Sequence, residues 1–315
     1  MKVLFFGTPF FAAHILKSLI ENGLDVIGVV SRPDKSKGRS GKPVPTAVKE
    51  FLHSDTCTQN IPLFQPEKCS TPEFAANLRA LNADIFIVVA YGEIIKQEIL
   101  DIPPLGCINI HASLLPSLRG AAPIQRAIMN GDEKTGITIM HMVRKMDAGD
   151  MIAKAEVSIL PEMTFGELEQ ALMQVAFPLL LSTLKEIHAG TATREVQEES
   201  KVTFAPKIEL EDCEINWDKP AQEIHDLIRG VNPYPGAWTW MTIRGEKKRV
   251  KFFRSKVHEK CATEAEKGSI SCEKQGFKIV CGDSCLLEIL ELQVEGKKPM
   301  SSGDFVRGHE SFGVL

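Results

Sequence analysis

Residues 83–90, "ADIFIVVA", are nearly all apolar, and a strand of that kind has to be buried on both faces, as in a parallel sheet. It is one of several. "KVLFF" (2–6), "DVIGVVS" (25–31) and "GCINIH" (106–111) read the same way, with a shorter strand at 61–64. Between them the spacing becomes helical. Phe11, Ile15, Leu16 and Leu19 share one face of a helix that Gly23 ends, and further helices are expected near 46–54, 72–81, 93–99 and 122–130. "GITIMHM" (136–142) and "MIAKAEVSI" (151–159) add two strands, and a long helix over 164–188 closes the unit. Strands alternating with helices predict an α/β fold with a doubly wound, mostly parallel, Rossmann-like sheet. The first turn, Gly7-Thr8-Pro9-Phe10-Phe11, lacks the G-x-G-x-x-G of dinucleotide binding.

Beyond residue 188 the pattern changes. Residues 190–208 contain Gly190, several threonines, a charged stretch and Pro206, and read as a linker. A helix near 220–229 precedes short strands, "AWTWMTI", "RVKFFRSKV", "GSISCEK", "GFKIVCG" and "LLEILELQV". Closely spaced strands with polar turns predict a small, OB-like β-barrel. The expected division is therefore 1–189, a linker at 190–208, and 209–315.

Net charge is −4, so a polyanionic partner would have to meet local basic patches. Residues 32–45 form a polar loop, long for a βα connection and of the kind that is usually functional or mobile. Its 32–42 portion carries Arg32, Lys35, Lys37, Arg39 and Lys42 against the single acid Asp34. Residues 244–260 carry eight basic residues against two acids. Either could equally be an ordinary solvated segment. No apolar run approaches the ~18 residues of a membrane span. The eight cysteines show no C-x-x-C and no zinc-finger spacing, so reduced thiols, no metal and a cytoplasmic location are expected. Gly7-Thr8-Pro9 interrupts the apolar start too early for a signal peptide.

The chemistry-bearing stretch is "CINIHASLLPSLRGAAPIQ", from Cys107. Side chains two apart on a strand point the same way, so Asn109 and His111 project together at a strand's carboxyl end, where open sheets bind ligands. A lone His there is more often a structural hydrogen bonder. "MVRKMDAGDMI" (142–152) supplies Asp147 and Asp150 around Ala148-Gly149, and a turn-forming role is the alternative for Asp147. Together an amide, an imidazole and a carboxylate suit acyl transfer: donors for an oxyanion, a proton shuttle and a group to orient it. Ser113 is the nearest hydroxyl but lacks the G-x-S-x-G elbow, which favours direct attack by a substrate nucleophile.

Asn109-x-His111, Ser113-Leu114-Leu115-Pro116, Arg119-Gly120-Ala121-Ala122-Pro123-Ile124 and Asp147-x-Gly149-Asp150, in that order, resemble the formyltransferases that use 10-formyltetrahydrofolate. Gly7-Thr8-Pro9-x-Phe11-Ala12, Pro33-Asp34 leading to Gly38-Arg39, Val89-Ala90-Tyr91-Gly92, and Asn232-Pro233 with Gly236-Ala237-Trp238 narrow the resemblance to the branch acting on methionyl-tRNA. It spans essentially the whole chain. It implies an enzyme that formylates the amino group of methionyl initiator tRNA for translation initiation, with no membrane partner and as a monomer. Asn109, His111 and Asp147 would be catalytic. Ala90, Tyr91, Gly92, Ile94, Ser113, Leu114, Leu115, Pro116 and Met142 would hold the folate. Arg39, with Lys35, Lys37 and Lys42 and with Lys247, Lys248 and Arg249 of the second domain, would meet the tRNA. Phe10 departs from the family, which usually has an acidic residue there; little effect on chemistry is expected, since an acid at that position would mainly favour the helix dipole. Formyl transfer to a small amine, such as a ribonucleotide or sugar, is one alternative, disfavoured by the added domain and the basic loop. A nucleic-acid-binding module with a structural α/β half is another, disfavoured by the Asn/His/Asp set.

Overall fold

The apolar runs of the first half hydrogen-bond to one another. The computed structural model of the protein describes residues 1–36, 41–54, 58–258, 266–309 and 311–314. In chain order it contains β1 (Lys2–Gly7), α1 (Phe10–Glu21), β2 (Asp25–Val30), β3 (Lys35–Ser36), β4 (Pro43–Val44), α2 (Ala47–Ser54), β5 (Leu63–Phe64), α3 (Pro72–Ala80), β6 (Ile85–Val89), α4 (Gln97–Leu100), β7 (Cys107–His111), β8 (Arg119–Gly120), α5 (Pro123–Met129), β9 (Lys134–His141), β10 (Met151–Ser158), α6 (Phe165–Ala189) and β11 (Phe204–Ala205). The second half adds α7 (Ala221–Gly230), β12 (Ala237–Ile243), β13 (Glu246–His258), β14 (Ile270–Glu273), β15 (Gly276–Val280), β16 (Leu286–Val294), β17 (Met300–Ser301), α8 (Ser302–Gly308) and β18 (Phe312–Val314). Contacts divide the chain into two units. One holds Met1–Pro123, Thr135–Val157 and Glu169–Ala205; the other holds Ile124–Lys134, Ser158–Leu168 and Pro206–Leu315.

The first unit is built on a sheet in the order β10-β9-β7-β6-β1-β2-β5. β1 pairs in parallel with β2 and β6, β2 with β5, and β6 with β7. All five residues of β6 are buried, which is why that strand shows no alternation in sequence. The parallel run ends at β7, because β9 pairs with it antiparallel, Ile108 opposite His141 and His111 opposite Thr138. The expected helix near 93–99 is corrected: only Gln97–Leu100 is helical. Ala90 and Gly92 sit at φ 45° and 84°, and the Glu93 carboxylate is drawn to Arg32 and to the Cys69 N–H. Those contacts hold 90–96 as a loop over the sheet end.

The second unit is an antiparallel, barrel-like sheet, β14-β15-β16-β13-β12-β18, with β17 on β16. Its core gathers Ile224 and Ile228 of α7 with Met241, Phe252, Phe277, Ile289 and Leu292 of the strands and Phe305 of α8. Ser301 caps α8 by accepting from the Asp304 N–H at 3.1 Å.

The start of α6 has a reciprocal cap written in its sequence as Thr164-x-x-Glu167. Thr164 N–H donates to Glu167 Oε2 at 2.8 Å, Glu167 N–H to Thr164 Oγ1 at 3.4 Å, and Arg254 Nη2 to Glu167 Oε1 at 2.6 Å. The Thr164 N–H bond, then Arg254, pull the Glu167 carboxyl down to about 2. Because its folded value lies below the ordinary 4.5, the stability it contributes is complete above that value and is lost as pH falls toward about 2. Glu167→Gln should therefore lower stability at neutral pH and flatten its fall in this acid window. Urea unfolding across pH 2–6 measures it, and parallel curves for the two proteins would show that the carboxylate contributes nothing.

Candidate active site

Asn109 and His111 lie on one face of β7 with a residue between them, as the strand period requires. The carboxylate that joins them comes from an unexpected direction. Since β9 is antiparallel to β7, the loop after β9 departs beside Ile108, with Met142 N–H on Cys107 O at 2.8 Å. It then folds back to bring Asp147 to both side chains. Asp147 Oδ1 lies 3.5 Å from Asn109 Nδ2, and Asp147 Oδ2 lies 3.7 Å from His111 Nδ1. The other ring nitrogen, Nε2, is 2.9 Å from Leu118 O. Asp150, the second acid of the motif, sits at the base of the hairpin, its carbonyl accepting from His141 N–H at 2.9 Å. Of the two acids, Asp147 is the one at the site.

Two glycines make this approach possible. Gly120 N–H donates to Asp147 Oδ2 at 2.8 Å, and Gly120 has φ 128°; a Cβ there would meet Ala205 O at 2.6 Å. At Gly149 a Cβ would lie 1.7 Å from His141 O. Asp147 itself is left-handed, φ 48°, a conformation uncommon outside glycine, though Asp is among the residues that adopt it most readily.

The stretch 190–208, linker-like in composition, supplies several partners to this cluster. Glu195 pairs with Met151, and β11 runs parallel to β8, Phe204 opposite Arg119 and Ala205 opposite Gly120. Thr203 Oγ1 accepts from Leu118 N–H at 2.9 Å. Gln197, 5% exposed, donates to Asp147 O and Gly149 O, each at 2.8 Å. Sequence reasoning missed Gln197, Thr203 and Glu199; a Gln in a polar stretch carries no signal of its own.

The residues expected to hold a folate divide by placement. Ala90, Gly92 and Ile94 are on the surface of the loop after β6, whereas Tyr91 is buried, its carbonyl accepting from Thr8 Oγ1 at 2.8 Å. Ser113 and Leu115 are buried; the Ser113 hydroxyl is spent on Ser117 O at 2.7 Å, and Thr138 Oγ1 bridges Ser113 O and Leu115 N–H. Leu114, Pro116 and Met142 are half-buried. Ile94, Val143 and Met146 expose large apolar side chains on the loops that follow β6 and β9, and Phe10 does so at the first residue of α1.

The expected tRNA contacts fall in both units. Lys35 and Lys42 are exposed on the hairpin whose strands β3 and β4 pair Lys35 with Val44; Lys37 and Arg39 lie outside the described residues. In the second unit Lys247 Nζ is 4.6 Å from the centroid of the Trp240 ring and Arg249 Cζ is 5.8 Å from that of Trp238, while Lys248 is bound to Glu246 at 2.6 Å. Among the described residues no group of three or more His, Cys, Asp or Glu has metal-holding geometry, and no helix is long and apolar enough to cross a membrane.

Comparison with known proteins places the chain in a family. The family described as Formyl transferase covers residues 1–184, and Formyl transferase, C-terminal domain, covers 207–310. A methionyl-tRNA formyltransferase of Protochlamydia amoebophila is 53% identical over 308 residues, 98% of this chain and 95% of its own. One from Bacillus subtilis is 42% identical over 98% of this chain and 94% of its own. Among solved structures, WlaRD, a sugar 3N-formyl transferase crystallised in the presence of dTDP and 5-N-formyl-THF, superposes with a TM-score of 0.67 at 18% identity, over 95% of this chain and 99% of its own. Fold and domain make-up thus define a formyltransferase enzyme. Within that class the chain belongs to the methionyl-tRNA formyltransferase family.

The tight fit at Gly149 is open to measurement. Gly149→Ala should destabilise the protein by about 1–3 kcal/mol, the usual cost of forcing atoms into filled space. Gly313→Ala, where a Cβ meets nothing within 4 Å, should be close to neutral. Denaturant titrations of the two variants compare them directly; equal midpoints would mean that the loop gives way freely.

Proposed function

We propose that the protein transfers a formyl group from 10-formyltetrahydrofolate to the amino group of methionyl initiator tRNA. The observation that carries the reading is the convergence of Asn109 and His111 on Asp147, which lies 3.5 Å from the first and 3.7 Å from the second. The relatives' names support the acceptor, and the formyl-folate used with WlaRD supports the donor. The chain's residues fit a flat, largely neutral heterocycle: exposed Ile94, Val143 and Met146 offer apolar walls, and the 90–94 loop offers backbone donors and acceptors.

The donor supplies a formyl carbonyl on nitrogen, whose oxygen gains negative charge as an amine adds. Asn109 donates to that oxygen; its amide is held only loosely, at 3.5 Å from Asp147, and so remains available. The Nε2 of His111 is committed to Leu118 O, so Nδ1, on the Asp147 side, is the ring atom that faces the reacting groups. As the new C–N bond forms, the amine loses a proton. As the old C–N bond breaks, the donor nitrogen takes one up. His111 and Asp147 carry that proton between them. Asp147 is fixed for this by the Gly120 N–H.

Asn109→Ala and His111→Ala should each lower kcat by roughly 10²-fold, the scale for losing an oxyanion donor or acid–base group, with folate binding little altered. Steady-state formyl transfer to charged initiator tRNA, with charged elongator tRNA, free methionine and an amino sugar nucleotide as comparison acceptors, tests both residues and the acceptor class. Turnover preferring the sugar would replace this reading with the small-amine one.

Charge pairing ranks the second-unit cations. Lys247→Ala and Arg249→Ala should raise the KM for tRNA more than Lys248→Ala, whose ammonium is already held by Glu246, and the difference should shrink as salt rises. Equal effects of all three would mean that ion pairing within the sheet does not matter.

A further inference from the structure

We propose that Gln197, braced by Arg119, is a positioning residue for Asp147; this rests on reading Asp147 as catalytic. The Gln197 carboxamide uses every hydrogen-bonding direction it has toward one end. Its oxygen accepts from Arg119 Nε at 2.9 Å and Nη2 at 2.8 Å. A guanidinium only donates, so the fork fixes which end of the amide is oxygen. The nitrogen then points at the loop, where its two hydrogens go to Asp147 O and Gly149 O, both at 2.8 Å. These are the carbonyls on either side of Ala148, at the crown of the loop. A non-glycine residue at φ 48° keeps that conformation when its surroundings over-determine it, and these two bonds do so.

The short strand that carries Arg119 holds Asp147 from a second direction. The N–H of the next residue, Gly120, donates to Asp147 Oδ2, so one short strand grips the carboxylate directly and the loop backbone through Gln197. The guanidinium is 1% exposed, yet its carboxylate partner is Glu199, at 3.1 Å and 63% exposed, which Lys145 of the same loop shares at 2.9 Å. Its Nη1 has no hydrogen-bond partner among the described residues. A buried cation paired this thinly is a poor device for stability alone. Orientation of the amide is what its geometry delivers.

Two isosteric variants separate orientation from general stability. Gln197→Glu keeps acceptors for Arg119 but turns an oxygen on two carbonyls; Gln197→Met removes all four bonds without adding charge. The first measurement is hydrogen–deuterium exchange of the full-length resting protein. Both variants should speed exchange of the Gly120 amide, which is bonded to Asp147 Oδ2, by about tenfold or more, the scale of losing one net hydrogen bond. The Ile87 and Phe252 amides, in the cores of the two units, should be unchanged. The second measurement is steady-state formyl transfer. kcat should fall by roughly 10- to 100-fold, the scale of a catalytic group displaced by about an ångström, with KM for both substrates within about twofold of wild type.

Unchanged exchange at Gly120 in both variants would overturn the proposal, as would wild-type kcat with a loosened loop. A kcat loss that follows loss of the core amides' protection would assign Gln197 to stability and overturn it too. Failure of the wild-type protein itself to transfer formyl groups would instead remove the functional reading, and the exchange measurement would still decide whether Gln197 holds the loop.

Discussion

The bond from Gly120 N–H to Asp147 Oδ2, 2.8 Å long, joins two loops that the sheet itself keeps apart. β7 presents Asn109 and His111 in the parallel sense, whereas Asp147 follows a strand of opposite direction. Its loop starts level with Ile108 and has to turn back across the sheet. That return needs a left-handed Asp147, a Gly149 whose missing Cβ leaves room for His141 O, and a Gly120 that lies against Ala205 O. The first is a conformation that a non-glycine residue seldom adopts, and the two glycines are close approaches that a side chain would block. They hold together because the 195–205 segment crosses behind them and meets their backbone groups one by one.

The polar cluster holds its members with unequal firmness. His111 is 5% exposed and has acceptors facing both nitrogens, the Leu118 carbonyl tightly and the Asp147 carboxylate at 3.7 Å. Asn109 is less buried, and its amide lies 3.5 Å from the Asp147 carboxylate. On the proposed roles, the His111 ring and the Asp147 carboxylate are held in place and the Asn109 amide is the group left for a substrate to engage. Such preorganisation avoids reorganisation cost at the moment charge develops.

What the sequence made legible follows from how local each signal is. β6 and β7 declare themselves by composition, and Asn109 with His111 by a spacing that any strand converts into a shared face. The long helix over 164–188 was legible from its apolar spacing, whereas the cap between Thr164 and Glu167 that starts it was not read. The loop at 90–96 resisted, since its shape depends on Arg32 reaching Glu93 from another strand end. Gln197 resisted for the same reason in stronger form: its partners are Arg119, Asp147 and Gly149, the nearest of them 48 positions away. Residues 302–308 and 312–314, with no alternation long enough to read, became α8 and β18 through aromatic contacts of Phe305 and Phe312 with Phe277.

Counting basic residues along the chain also overstated what they present. Arg32 is paired with Glu93, Lys248 with Glu246 and Arg254 with Glu167, so part of the charge in 32–42 and 244–260 is met within its own unit. Lys247 and Arg249 differ, because their neighbours are the Trp240 and Trp238 rings. An aromatic face steadies a cation without neutralising it. Both side chains alternate along β13 on either side of Lys248, which puts them on one face of the strand beside two indoles that themselves meet edge to face at 5.9 Å. A polyanion arriving there meets charges that are already ordered, and the entropy of fixing long side chains is spent in folding rather than in binding.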